Sequence, residues 1–322
     1  MNILHTFFIT NSMFLSVALK KPGELSYRWA NVHDEKHDDE EWHYGDDIND
    51  WITHVVHKNR KNILCYNDEE PGESKATSKG HAKGVVVWDD KRIGWLIHSV
   101  PKYPQITHEN KFEPIDQPQL IYGQSFLYME IDNNQPVLNT ILDHLTMMEV
   151  HIYHQTDEGI KNIHISKKDK KNVILYHFTN DIFHIAKSSA WGKDLYEDYL
   201  SDYIDAVVLC QTWAKPATPS TSKVKNVRTM KWDGDGDEYQ TTQDHSKYAV
   251  SMDSQRPWVL FGDINHMESQ TRRGGGGMLI RHPALWRMMN HNLINYTEII
   301  PNPNQKAVKK WWECFGWKCL KS

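Results

Sequence analysis

The feature that most constrains this chain is the sequence His-x-Lys, which occurs twice in similar settings. The first copy lies at 80–89 and reads GHAKGVVVWD, and the second lies at 244–253 and reads DHSKYAVSMD. Each copy runs into an apolar stretch, as expected for a strand in which residues i and i+2 share a face. After a turn, a second apolar strand begins with tryptophan, Trp95 in one case and Trp258 in the other. The repeat predicts a chain of two related halves.

Strands and helices are predicted to alternate in both halves. Val137–Met147 and Leu195–Tyr203 have the spacing of helices, and alternating strands follow them at Val150–His154 and Ala206–Gln211. Such alternation predicts an α/β architecture with two pseudo-symmetric halves, each consisting of a mixed β-sheet flanked by helices.

Two further segments bear on how the chain is divided. The charged run at 167–171 is predicted to be a turn, and we place the boundary there. Residues 1–166 then form the half with the first His-x-Lys motif, and residues 167–322 form the half with the second. Pro216–Asp244 is rich in Thr, Ser, Lys and Asp and is predicted to be a long excursion over the surface.

The first twenty residues allow two interpretations. They are apolar enough for a cleaved signal peptide, but they lack a basic start, and the polar residues 10–12 interrupt the apolar stretch. A first strand at Met13–Leu19 is equally consistent with the pattern. Runs of about 18 or more apolar residues do not occur, so no membrane-spanning helix is predicted.

Cysteines and acidic clusters do not predict a metal site. The chain has four cysteines, Cys65, Cys210, Cys314 and Cys319. They are too few for a disulfide-dense scaffold and lack the paired Cys-x-x-Cys of zinc modules, although the last two could pair locally. The acidic run at 33–41 is typical of a solvated loop, and the calcium-loop pattern beginning at Asp233 lacks its required glycine and final glutamate. No metal ion or cofactor is therefore predicted.

The charge balance favours an acidic environment if the partner is a nucleic acid. The formal net charge is −5 at pH 7, which is the wrong sign for binding phosphates by bulk electrostatics. Protonation of all 19 histidines would move the formal charge from −5 to +14. An acid-active DNA-binding protein is consistent with this composition, and a neutral-pH one is less so.

A duplicated His-x-Lys motif suits phosphoryl chemistry. Histidine can attack phosphorus to form a covalent phosphoenzyme, which replaces one difficult displacement with two easier ones. Lysine two residues later points the same way and can neutralise the phosphoryl oxygens. A second copy supplies a histidine as general acid for the departing oxygen and a second lysine for its charge. The residues leave open which histidine is the nucleophile.

Several stretches resemble the deoxyribonuclease II family, in the same order along the chain. They are Gly80–Val85, His98–Pro104, Tyr122–Phe126, Asp244–Val250, Gly262–Asn265 and Arg273–Gly276. The resemblance extends from about Met13 to Trp286 and so includes most of the chain. This family belongs to the phospholipase D-like phosphodiesterases, in which two His-x-Lys motifs meet at a pseudo-twofold interface. The resemblance therefore implies a phospholipase D-like fold.

The resemblance also implies which residues act. Matched by position, the catalytic quartet is His81, Lys83, His245 and Lys247. His98 matches a further family histidine that is important for activity, and Asp263 and Asn265 lie where related enzymes place residues that support the second motif. The chain departs from the family at Ala82, where threonine is common, and at Met278–Ile280, where a cysteine is usual.

The function implied by the resemblance is that of an acid, metal-independent endonuclease. Such an enzyme cuts double-stranded DNA through a phosphohistidine, leaves 3′-phosphate and 5′-hydroxyl ends, and needs no cofactor. Two alternatives are a phospholipase D-like phosphodiesterase acting on other diesters and an inactive DNA-binding or toxin-like homologue. The family resemblance implies a lysosomal or secreted protein, whereas this chain lacks the early cysteines of the secreted enzymes.

Overall fold

Two β-sheets organise the chain. The computed structural model describes residues 12–33, 39–56, 61–74, 76–156, 172–213, 218–232 and 238–296. Within these ranges, eight strands form one sheet and nine form another. Strands of the first sheet all precede residue 157, and strands of the second all follow residue 171.

The first sheet has the order β3-β2-β1-β7-β6-β5-β4-β8. Its strands are β1 (Met13–Lys20), β2 (Tyr27–His33), β3 (His43–Gly45), β4 (Asn62–Asn67), β5 (Lys83–Trp88), β6 (Arg92–His98), β7 (Gln124–Asp132) and β8 (Ile152–Gln155). Every pairing between them is antiparallel.

The second sheet has the order β13-β12-β11-β14-β15-β16-β10-β9, and β17 pairs with β12. Its strands are β9 (Val173–His177), β10 (Ile182–Lys187), β11 (Val208–Gln211), β12 (Val224–Lys231), β13 (Glu238–Gln240), β14 (Tyr248–Ser251), β15 (Trp258–Gly262), β16 (Gly275–Arg281) and β17 (Leu293–Tyr296). This sheet is mixed, because β11 and β12 run parallel while the other pairs are antiparallel.

Helices are few and mostly short. The α-helices are α1 (Ile48–Val56), α2 (Gln117–Leu120), α3 (Gln135–Met147), α4 (Ser201–Ile204) and α5 (Pro283–His291). A π-helical turn, Tyr196–Leu200, leads directly into α4, and 3₁₀ turns occupy Ser189–Trp191, Thr241–Gln243 and Glu268–Arg272. None of the helices in the described ranges is long and apolar enough to cross a membrane.

Both faces of each sheet are covered by apolar side chains. In β5, Val86 and Trp88 belong to a central core that also contains buried residues of the second sheet, whereas Val85 and Val87 pack in a separate cluster with residues of α1. Alternate side chains of a strand point to opposite faces, so both faces of β5 are buried. A third cluster joins the second sheet to the 196–204 helical segment. The central core therefore lies between the two sheets.

The two sheets share an internal order. β1-β7-β6-β5-β4 in the first corresponds to β10-β16-β15-β14-β11 in the second, with the two His-x-Lys hairpins at equivalent places. β1 ends at Lys20 and β10 ends at Lys187, and each of these buried ammonium groups donates to three main-chain carbonyls. Burial lowers the pKa of each lysine to about 8, against the opposing effect of nearby carboxylates.

The predicted α/β architecture with two halves is confirmed, with one difference of detail. The first sheet is wholly antiparallel over its described strands, and only the second is mixed. A three-residue turn joins β5 to β6, and a connection this short requires antiparallel neighbours. The proposed boundary between residues 166 and 167 lies outside the described residues.

Among individual elements, the predicted strand Met13–Leu19 and the predicted helix Val137–Met147 correspond to β1 and α3. β1 begins at Met13, and α3 ends at Met147. The predicted surface excursion at Pro216–Asp244 is wrong, because it contains β12 and β13. In β12 the buried apolar residues Val224, Val227 and Met230 lie three positions apart, which hides the strand from a period-of-two search.

Candidate active site

Five of the seven site residues predicted from the sequence line one pocket. Its volume is about 330 Å³. It is lined by Glu69, His81, Lys83, Ser99, Pro101, Tyr122, Trp213, His245, Lys247 and Asn265. The pocket therefore brings together both His-x-Lys motifs, which lie 164 residues apart in the chain.

The main chain of each motif is anchored to the opposite half. The N–H of His81 donates to the carbonyl of Gly274 at 2.8 Å, and the N–H of His245 donates to the carbonyl of Gly123, also at 2.8 Å. Any Cβ at Gly274 would collide with the carbonyl oxygen of Met148, so only glycine permits this approach. These paired hydrogen bonds fix the two histidines relative to each other.

The His81 ring is held in one tautomer. Its Nδ1 lies 2.7 Å from the main-chain carbonyl oxygen of Asp263. Because a carbonyl can only accept, Nδ1 carries the proton and donates, and the lone pair of the neutral ring lies on Nε2. Burial lowers the pKa of His81 to about 3; Asp68 opposes this shift, and the charges of Lys83 and Lys247 reinforce it. His81 is thus a neutral base with a defined lone pair.

Lys83 lies between two carboxylates. Its ammonium group forms a short hydrogen-bonded ion pair with Asp68 and lies 3.4 Å from an oxygen of Glu69. Asp68 is 1% exposed at its side chain, whereas the Glu69 side chain is 34% exposed and reaches the pocket. Lys83 therefore has one buried counterion and one accessible counterion.

Asp68 also joins the two halves behind the pocket. Its second oxygen accepts from Nη2 of Arg273 at 2.9 Å, and that guanidinium also donates to the carbonyls of Thr77 and Lys79. Burial disfavours the charged form of Asp68, but His81, Lys83 and Arg273 outweigh it and hold its pKa well below the usual range. Asp68 therefore remains an anion that fixes the position of Lys83.

Lys247 completes a pair of cations on the pocket wall. Its ammonium group donates to the carbonyl of His245 at 2.7 Å. Burial lowers the pKa of Lys247 to about 8, the charge of Lys83 lowers it further, and Asp68 and Glu69 oppose the shift. Lys83 and Lys247 line the same pocket, and the charge of Lys83 acts on Lys247, so the pocket presents two ammonium groups of the kind that bind a phosphodiester.

Aromatic rings hold His245 in place. The imidazole stacks on Tyr122 with ring centres 4.1 Å apart and planes at 11°, and the ring of Trp213 meets it edge-on at 4.0 Å. All three side chains line the pocket. His81 and His245 therefore occupy different environments, one hydrogen-bonded to a carbonyl and the other packed between rings.

The three remaining predicted residues differ in their distance from the pocket. Asn265 lines it. Asp263 is buried behind it, where its Oδ1 accepts from the N–H of Lys83 at 3.4 Å and burial raises its pKa to about 8. His98 is buried as well; its Nδ1 accepts from the N–H of Val100, and burial, with the charges of the two site lysines, lowers its pKa to about 3. Asp263 and His98 thus lie outside the pocket lining, and Asp263 contacts the site through the main chain of Lys83.

The remaining predicted features fall partly outside the described residues. Cys65 and Cys210 are buried and free, whereas Cys314 and Cys319 belong to the undescribed end of the chain. In the ranges that the structure describes, no group of three or more His, Cys, Asp and Glu side chains is arranged to hold a metal ion. Ala82, where the family usually has threonine, is fully buried in the central core.

Sequence reasoning assigned no role to Asp68, Glu69, Tyr122 and Trp213. Asp68 and Glu69 immediately follow β4, and a pair of carboxylates at the end of a buried strand was the available signal. Tyr122 lay within a stretch that resembles the family, but nothing in that stretch indicated a contact with His245. Trp213 follows β11 and had no signal of its own.

Comparison with known proteins assigns the family. The family model for deoxyribonuclease II matches residues 46–299, which include every site residue described above. The chain belongs to the deoxyribonuclease II family. It is therefore one of the DNA-cleaving hydrolases.

Individual relatives cover most of the chain. The rat deoxyribonuclease-2-alpha is 30% identical over 251 residues, 70% of each protein. Cell-death-related nuclease 7 of Caenorhabditis elegans is 27% identical over 289 residues, 79% of this chain and 76% of its own length. Plancitoxin-1 of Acanthaster planci is 28% identical over 265 residues, 72% of this chain and 70% of its own. The deoxyribonuclease II resemblance inferred from the motifs is confirmed.

Proposed function

We propose that this deoxyribonuclease is an acid endonuclease that cleaves double-stranded DNA through a phosphohistidine on His81, without a metal ion. The observation that carries the proposal is the convergence of His81, Lys83, His245 and Lys247 on one pocket. We further propose that residues 1–166 and 167–322 are the two units that each contribute one motif.

His81 is the nucleophile in this proposal. Its Nδ1 donates to the carbonyl of Asp263, which leaves the Nε2 lone pair free to attack phosphorus. Attack forms a P–N bond and gives a ring with substituents on both nitrogens and a positive charge. The Asp263 carbonyl and the permanent negative charge of Asp68 stabilise that cation.

His245 acts as general acid and then as general base. As the P–O5′ bond breaks, a proton passes from the His245 imidazolium to the departing 5′-oxygen, which leaves as a 5′-hydroxyl. The neutral imidazole then removes a proton from water, and the resulting hydroxide attacks phosphorus and breaks the P–N bond. The product retains the phosphate on its 3′-oxygen, and His245 is protonated again.

Two ammonium groups perform the work that a divalent cation performs in metal-dependent nucleases. The phosphodiester gains negative charge at its non-bridging oxygens as the bond to nitrogen forms. Lys83 and Lys247 line the same pocket, so both can neutralise these oxygens. This arrangement supports cleavage in the presence of a chelator.

A plasmid-nicking assay in excess EDTA, at pH 5 and pH 8, tests the proposal. We expect nicking at pH 5 to persist in EDTA and the ends to be 3′-phosphate and 5′-hydroxyl, so that a polymerase extends them only after phosphatase treatment. Activity that is lost in EDTA and returns with Mg²⁺ would contradict metal independence. The exposed His108 gives a matched control, because His108→Ala removes an imidazole that is not part of the pocket lining and should nick as the parent does.

The nicking assay, together with assays of other diesters and of DNA binding, separates the alternatives. Cleavage of a small phosphodiester or a phospholipid, with no nicking of DNA, would indicate a phosphodiesterase for other substrates. Retention of DNA on a filter without cleavage of any diester would indicate an inactive DNA-binding homologue. The intact catalytic quartet favours turnover over mere binding.

A further inference from the structure

Glu69 is an unexpected group in a pocket that must accept a phosphodiester. Its side chain lines the cavity and has one oxygen 3.4 Å from the Lys83 ammonium. A carboxylate repels a phosphate, so its presence raises the free energy of substrate binding unless it moves away or is neutralised. The mechanism above gives it no step.

The main chain around Glu69 holds it in this position. Its N–H donates to Oδ1 of Asn67 at 2.9 Å, and its carbonyl accepts from the N–H of Lys102 at 3.0 Å. The buried Asn67 amide in turn donates to the carbonyls of Val100 and Tyr103. Glu69 is therefore fixed at its backbone on both sides, while its side chain is one-third exposed.

Asp68 makes Glu69 dispensable as a counterion. The buried Asp68 carboxylate already pairs with Lys83 and Arg273. Loss of the Glu69 contact therefore does not leave the Lys83 charge unpaired. Glu69 also lies close enough to Lys247 to affect its charge, so it faces both cations that the substrate needs.

We propose that Glu69 is an internal competitor for the phosphate subsite. In the free enzyme its carboxylate occupies the accessible side of Lys83, and the phosphodiester replaces it on binding. Glu69 thus sets the apparent affinity for DNA and limits binding of weaker anions. This inference rests on the proposed role of Lys83 in holding the scissile phosphate.

The decisive variant is Glu69→Gln, which keeps the shape and removes the charge. Glu70→Gln is its matched control: the Glu70 side chain has the same 34% exposure, but its carboxylate pairs with His151 at 2.9 Å and is not part of the pocket lining. Sulfate is a suitable probe because its charge does not change between pH 5 and pH 8. Its affinity is measured by calorimetric titration at constant ionic strength, and KM and kcat are measured on plasmid DNA.

We expect Glu69→Gln to bind sulfate about fivefold more tightly, the upper end for a partly exposed charge pair. The KM for DNA should fall by a similar factor with kcat little changed, and Glu70→Gln should match the parent in both. Unchanged or weaker sulfate binding, or a lower kcat at constant KM, would overturn the proposal, the latter by showing that Glu69 positions Lys83. Glu69→Ser serves if the glutamine variant melts at a lower temperature. If the parent fails to cut DNA, the proposed function fails, whereas the sulfate titration still decides the role of Glu69.

Discussion

At the scale of single residues, the duplicated motif predicted the centre of the site but not its support. His81, Lys83, His245 and Lys247 follow from one local pattern repeated in the sequence, so no tertiary knowledge is needed to select them. The pair of Asp68 and Arg273 lies 205 residues apart and has no such pattern. Contacts of this kind are set by how the two halves pack, which a single sequence does not encode locally.

The roles of the two histidines are separable by trapping the intermediate. In His245→Ala the leaving oxygen has no general acid, so turnover of DNA should fall by about 10²–10⁴-fold. A substrate with a p-nitrophenolate leaving group needs no proton, so it should still phosphorylate His81 in that variant. Hydrolysis of the P–N bond then lacks its base, and the phosphoenzyme should accumulate. Mass spectrometry after rapid denaturation at alkaline pH measures it as one added phosphoryl group, still esterified to the alcohol that the substrate retains, on the peptide containing His81.

The complementary variant provides the control. His81→Ala should neither turn over nor gain a phosphoryl group, while its affinity for DNA in a filter-binding assay stays near that of the parent, because Lys83 and Lys247 remain. A phosphoryl group on the peptide containing His245 in the His81→Ala protein would reverse the assignment of nucleophile and acid.

At the scale of elements, side-chain periodicity succeeded where a strand or helix has a regular buried face. α3 is such an element, whereas β1 is identified as a short apolar run that is buried on both faces. The prediction missed β12 because the buried residues of this strand include the polar Asn226 and Thr229. Their amide and hydroxyl groups are hydrogen-bonded to groups that come near only in the folded chain. The antiparallel character of the first sheet likewise depends on strand pairing, which periodicity does not report.

The packing of α3 against β10 contains a buried pair of histidines. Nδ1 of His144 lies 2.7 Å from Nδ1 of His184, and the His184 ring packs against Trp95. Burial lowers the pKa of His144 to about 4, and burial together with His144 holds that of His184 well below its usual value. A histidine in the unfolded chain titrates near 6.5. Below that pH the unfolded state therefore binds protons that the folded state does not.

This pair should therefore make the fold sensitive to acid. The free energy of unfolding is expected to fall as pH drops from 6.5 towards about 4, by up to about 1.4 kcal/mol per pH unit for each buried histidine. Replacing both with leucine, which has a similar volume, should reduce that slope, while the buried His81 and His98 keep their own contributions to it. Urea unfolding at several pH values measures the slope. The control is His54→Leu, at an exposed position of α1, which should keep the slope of the parent protein. A double variant whose slope equals that of the parent would show that the pair does not control acid stability.

At the scale of the whole molecule, the acid optimum that we propose for catalysis opposes the acid sensitivity that we expect of the fold. The folded chain keeps His81, His98, His144 and His184 neutral through burial, so the formal charge of +14 for full protonation is an upper bound that the folded protein does not reach. Exposed histidines supply the gain in positive charge that strengthens phosphate contacts. Burial keeps His81, the proposed nucleophile, neutral.

The pH profile of cleavage should show both consequences. We expect an optimum at about pH 5 to 6, the lower part of the imidazole range. Because burial lowers the pKa of His81 to about 3, the nucleophile stays neutral well below that optimum, and the acid limb of kcat should lie near the limit of stability.

The alkaline limb should reflect loss of the His245 proton. It should therefore be present with DNA and absent with a p-nitrophenyl diester, whose leaving group needs no acid. The rise in DNA affinity with acid belongs to KM and should weaken at high salt, whereas the kcat limb should not. Initial rates from pH 3.5 to pH 8 at constant ionic strength provide the comparison. An alkaline limb of the same position for both substrates would show that the general acid assignment is wrong.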